Sequence, residues 1–141
     1  MRDNTPGLHL ILTGFVRPEQ NDLNDPQKIA GLLKTCVDLV QMVPLTEPVI
    51  KEVPLEESLS DSDADCGGVT GFIILGTSHV SIHTWPQHAR FSFDLYSCHS
   101  FNANLILSYL KESLSMTGAD VILLDRTPNT ACRNSFQERH A

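Results

Sequence analysis

Three strand-like runs follow one another between Val69 and Ser97, separated by connections of only three or four residues. No other stretch constrains the fold as strongly. Arg90 to Ser97 alternates Phe91, Phe93 and Leu95 with Ser92, Asp94 and Tyr96, as a half-buried antiparallel strand does. His79 to Trp85 alternates Val80 and Ile82 with His79, Ser81 and His83. Val69 to Leu75 is nearly all apolar, which predicts burial on both faces. Gly76-Thr77-Ser78 and Pro86-Gln87-His88-Ala89 are short enough for hairpin turns. The heart of the chain is therefore an antiparallel meander.

The flanking segments add two helices and three strands. Leu8 to Phe15 predicts a first strand ending near Gly14. Asp25 suits an N-cap and Pro26 a first helical turn. Ile29, Leu32, Leu33, Cys36 and Val40 then give residues 26 to 42 one apolar face, with Pro44 ending the helix. Pro48 to Val53 predicts an edge strand. A second helix is expected from about Phe101 to Met116, with Gly118 as its C-cap, and a last strand over Asp120 to Leu124. Residues 125 to 141 predict a loose polar tail after a single domain of residues 1 to 124. This order favours an α+β two-layer sandwich, a mostly antiparallel sheet with both helices on one face. The other face needs a cover, and a second copy of the chain is the economical one.

Charge narrows the function. Ten Lys and Arg against 17 Asp and Glu leave a formal −7 with His neutral, which disfavours a nucleic-acid or anionic-membrane binder. A hydrophobic fraction of 41% with 19% charged residues is globular composition. Residues 1 to 12 make a poor secretory signal, and Cys36, Cys66, Cys98 and Cys132 form no CxxC. The expectation is reduced thiols and a cytoplasmic setting.

The densest polar stretch is Gly76 to Pro86, and three chemistries compete for it. His79 and His83 would share a helix face, but on a strand they lie about 13 Å apart, too far to share one metal within a chain; no metal is assigned. Ser78 lacks the GxSxG elbow of a hydrolase. The third chemistry is self-processing, in which a serine on a constrained turn attacks the preceding carbonyl and ends as a pyruvoyl group. Such a group takes an amino acid as a Schiff base and serves as an electron sink. Ser78, His83 and Cys98 could be the serine, the proton-transfer group and the later proton donor. Spacing alone does not choose among the three.

Gly68-Val69-Thr70-Gly71, then Ser78-His79-Val80-Ser81-Ile82-His83-Thr84-Trp85-Pro86, then Asp94-Leu95-Tyr96-Ser97-Cys98 together resemble the signature of the prokaryotic S-adenosylmethionine decarboxylases. Gly7 to Gly14 also resembles that family's opening strand. The resemblance implies cleavage between Thr77 and Ser78, with Ser78 becoming the pyruvoyl cofactor. It implies that His83 assists the elimination, that Thr70 assists processing, and that Cys98 protonates the product carbon. It further implies an αββα homodimer with active sites at the subunit interface and a role in polyamine synthesis.

Three positions depart from the family pattern. Thr77 stands where Glu is usual before the serine, and Gln87 where Glu follows Trp-Pro. The loop before Gly68 carries Asp63 and Asp65 in place of an aromatic suited to adenine. Carboxylates suit an amine or guanidinium. Asp63, Asp65, Trp85 and Gln87 are thus the candidate substrate contacts, and L-arginine or L-ornithine stands beside S-adenosylmethionine as a possible substrate. Trp85 or Phe15 could replace the missing stacking platform. Thr77 also leaves open an unprocessed, silent partner subunit, against which stands the joint presence of Ser78, His83 and Cys98.

Overall fold

The computed structural model describes residues 5–20, 22–54 and 67–128. Strand β1 (Leu8–Val16) leads through a single 3-10 turn to helix α1 (Pro26–Leu39). Strands β2 (Val49–Glu52), β3 (Val69–Leu75), β4 (Ser78–Trp85) and β5 (Arg90–Ser97) follow, then helix α2 (Ala103–Ser113) and strand β6 (Met116–Asp125). All six strands form one antiparallel sheet in the order β2-β3-β4-β5-β1-β6. Both helices pack on it, giving the expected α+β sandwich.

The meander forms, and each of its three strands buries one face. Val69, Ile73 and Leu75 of β3, Val80 and Ile82 of β4, and Phe91, Phe93 and Leu95 of β5 point into the helix-covered core. The core closes on Ile29, Leu32, Leu33 and Cys36 of α1 and on Ile106 and Leu110 of α2. Asp25 caps α1 by accepting from the Gln27 and Lys28 N–H groups at 3.0 and 3.2 Å. At one end of the sheet Thr84 is buried without loss. Its hydroxyl accepts from the Val69 N–H and donates to the Leu23 carbonyl, each at 2.7 Å.

Several expectations need correction. β3 is buried on one face only, since Phe72 and Ile74 stay 37% and 45% exposed on the face without helices. β1 does not stop at Gly14 but runs on to Val16, because Gly14 sits under the Phe91 ring, where a Cβ would come within 2.3 Å of ring atoms. The first helix ends at Leu39 rather than near residue 42, before Gln41 adopts a φ of 56°. The second helix spans only Ala103–Ser113 and ends on Leu114, so Gly118 is no cap and lies inside β6, which begins at Met116. The presumed tail begins as sheet. Asp125 ends β6, the Arg126 N–H donates to the Gly7 carbonyl, and the Gly7 N–H donates to Thr127 Oγ1. No helix among the described residues is long and apolar enough to cross a membrane.

Candidate active site

Leu75 pairs with Ser78, so Gly76 and Thr77 form a two-residue hairpin turn. Thr77 carries a φ of 61°. A left-handed φ is rare for any side-chain-bearing residue and costly for a β-branched one, on the order of 1–3 kcal/mol. Gly76, which could take such a φ freely, stands one position too early. The strained residue is therefore the one whose carbonyl precedes Ser78.

Cys98 comes to this turn from just past the end of β5. Its N–H donates to Ser78 Oγ at 3.1 Å, and the Ser78 hydroxyl points back at Cys98 Sγ at 3.6 Å. Thr77 Oγ1 lies 2.7 Å from the same sulfur and 2.6 Å from the Gly76 carbonyl, and its one proton can go to the carbonyl or, once the sulfur is a thiolate, to the sulfur. The Thr77 and Ser78 hydroxyls hold the Cys98 thiol below its ordinary value of 9.0, because each can donate to a thiolate. Cys36 is the contrast: burial in the core pushes it up to about 12.

His83 and Thr70 make a second group. They pair across β3 and β4, with Thr70 Oγ1 3.1 Å from His83 Nδ1. His83 is five residues beyond Ser78, about 16 Å along the strand. The two also belong to opposite alternations of β4: Ser78 with buried Val80 and Ile82, His83 with half-buried His79 and Ser81. Within one chain they do not meet. Trp85 and Gln87 lie at the His83 end, where the Arg90 guanidinium already stacks on the Trp85 ring at 4.4 Å and Gln87 is exposed. Asp63 and Asp65 lie outside the described residues.

The Ser78 end opens on a pocket of about 510 Å³ lined by Ile74, Leu75, Thr77, Ser78, His79, Tyr96 and Arg126. Tyr96 and Arg126 were not among the sequence candidates. Tyr96 was readable as an outward position of β5, two residues before Cys98. Arg126 had no local signal. It arrives because β6 pairs with β1, and its guanidinium stacks on Tyr96 at 4.5 Å.

The S-adenosylmethionine decarboxylase family model matches residues 9–127. A relative from Hydrogenobaculum sp. (strain Y04AAS1), named S-adenosylmethionine decarboxylase proenzyme, is 42% identical over 60 residues, 42% of this chain and 45% of the relative. One of the same name from Clostridium botulinum (strain Loch Maree / Type A3) is 38% identical over 55 residues, 38% of this chain and 47% of the relative. The chain spans about half the length of the curated relatives it matches. Among solved structures, the adenosylmethionine decarboxylase from Aquifex aeolicus VF5 superposes with a TM-score of 0.69 at 22% identity, over 91% of this chain and 96% of that one. That likeness shows the fold. The family model covers most of the chain, from the opening strand through β6 and past Cys98, and the chain belongs to the S-adenosylmethionine decarboxylase family.

Proposed function

We propose that the protein is a self-processing, pyruvoyl-dependent decarboxylase acting on S-adenosylmethionine. One observation carries the reading: Ser78 stands directly after a strained Thr77, with the Cys98 thiol against its hydroxyl. Ser78 Oγ attacks the Thr77 carbonyl carbon. The C–N bond breaks, leaving an ester and a free Ser78 amine, and the strain at Thr77 is released. Loss of the Ser78 Cα proton then expels the Thr77 carboxylate from Cβ. The resulting enamine tautomerises to an imine, and water hydrolyses it with release of ammonia. Residues 1–77 and 78–141 become separate chains. The pyruvoyl group so formed supplies an electron sink for decarboxylation. The donors present fit it, since the Cys98 N–H already points at the Ser78 side chain. Cys98 holds the proton for the product carbon.

His83 and Thr70 assist cleavage, and they can do so only from a second copy of the chain. A homodimer that stacks two sheets face to face about a two-fold axis brings one chain's Ser78 end to the other's His83 end. Phe15, Phe72, Ile74 and Ile122, each 37–51% exposed on the face without helices, supply its apolar contact. Trp85 and Gln87 would join the substrate site across the same interface. A cytoplasmic setting, with Cys36 and Cys98 as free thiols, and a place in polyamine synthesis belong to this reading. Arginine or ornithine is not favoured, since the relatives named above carry S-adenosylmethionine in their names.

The test is the intact mass of the purified chain under denaturing conditions, beside Ser78→Ala. Two fragments split before residue 78, the second blocked at its N-terminus, are expected for the parent and one 15.6 kDa species for the variant. A single uncut species in both samples would replace this reading by the silent partner subunit. Carbon dioxide release from S-adenosylmethionine and not from arginine or ornithine then identifies the substrate.

A further inference from the structure

We propose that His9, His79 and Asp94 form a binding site for one divalent transition-metal ion of the zinc class. His79 cannot reach His83, but two neighbouring strands bring it other ligands. β4, β5 and β1 are adjacent in the sheet, and His79 and His9 both pair with Tyr96 from its two sides. The imidazoles lean toward each other over β5, with ring centroids 6.2 Å apart, and converge on the Asp94 carboxylate. His9 Nε2 meets Asp94 Oδ1, and His79 Nε2 is 3.4 Å from Oδ2. One ligand atom from each residue lies within 4.8 Å of the other two.

The chemistry of the set selects the ion. Two imidazole nitrogens and one carboxylate oxygen suit Zn²⁺ and its first-row neighbours, whereas Mg²⁺ and Ca²⁺ prefer oxygen alone. Metal–ligand bonds of about 2.0–2.2 Å place tetrahedral ligand atoms about 3.3 Å apart, so shifts of roughly an ångström in the side chains complete the geometry. All three residues stand on paired strands, which hold their backbones in place. Three protein ligands leave a fourth position open, and one of them, His79, also borders the Ser78 pocket. The chain's net −7 favours a cation.

Arg126 is the competitor. Its guanidinium donates to His9 Nδ1 at 3.2 Å, which leaves the His9 proton on Nε2, facing Asp94. Metal binding at Nε2 moves that proton to Nδ1, where it displaces the guanidinium from the ring.

The experiment uses the full-length Ser78→Ala chain, so its outcome does not depend on self-cleavage or on any pyruvoyl group. Titration with Zn²⁺ by calorimetry, and with Co²⁺ by its visible absorption, is expected to give one tetrahedral site per chain. Asp94→Asn and His9→Gln, chosen to keep side-chain shape, should each weaken binding more than about tenfold, since even outer-shell changes cost 10–100-fold. Their metal-free melting temperatures, taken alongside, report folding. Arg126→Ala should tighten binding severalfold. No stoichiometric binding by the Ser78→Ala chain overturns the proposal. So does binding that folded Asp94→Asn and His9→Gln retain at full strength, which would put the ion elsewhere, or binding that Arg126→Ala fails to tighten.

Discussion

At the scale of single residues the decisive group is Thr77. Its hydroxyl lies 2.7 Å from Cys98 Sγ, and it is the largest influence lowering that thiol. The sign follows from which form is stabilised: hydroxyls that donate to sulfur favour the thiolate, so the thiol loses its proton at lower pH. In the Ser78→Ala precursor, with Cys66 and Cys132 replaced by serine, alkylation of Cys98 should rise with pH around a midpoint below 9.0. Thr77→Val removes the hydroxyl while keeping the β-branched shape, and the midpoint should move up toward 9.0. An unchanged midpoint would mean that the hydroxyl does not tune the sulfur. Cys36, held near 12 by burial, stays silent in such an assay.

At the scale of elements, β4 and β5 followed from period-two alternation, β3 from its apolar run beside a turn, and α1 from its cap and apolar face. Boundaries were legible only where a local signal marks them. Gly14 was misread as a stop because a glycine in a strand usually signals a break. Here it makes room for the Phe91 ring of the neighbouring strand, a contact between residues 77 positions apart. Gly14→Ala should therefore destabilise the fold by about 1–3 kcal/mol, as overpacking does. The denaturant midpoint should fall with an unchanged slope. Gly118 was misread for the complementary reason: a glycine after a helix resembles a C-cap, yet β6 begins before it, paired to β1.

At the scale of the whole molecule, the two halves of the candidate site lie at opposite ends of β4, and an isologous dimer would reunite them. Coexpression tests this directly. On the proposed function, Ser78→Ala chains cannot be cut, and His83→Ala chains lack the histidine proposed to assist cleavage. In mixed dimers the His83→Ala chain keeps its own Ser78 and meets an intact His83 on its partner. Cleavage of that chain should appear in the mixture and be absent from either variant alone, as read by denaturing mass. Absence of cleavage in the mixture would confine the site to one chain.

The sequence alone carries the strand alternation, the helix cap, and the run from Thr77 to Cys98 in which serine and thiol stand at family spacing. These are local properties, written in the periods of side chains and in short turns. It could not supply the order of the strands. β1 inserts between β5 and β6, joining residues 75 or more positions apart, and loop closure over such lengths leaves no mark on local composition. Only that tertiary step brings His9 to Asp94 and Arg126 to the Ser78 pocket. Only the rise of about 3.3 Å per residue along a flat strand, rather than the turn of a helix, keeps His83 away from the serine it is expected to serve.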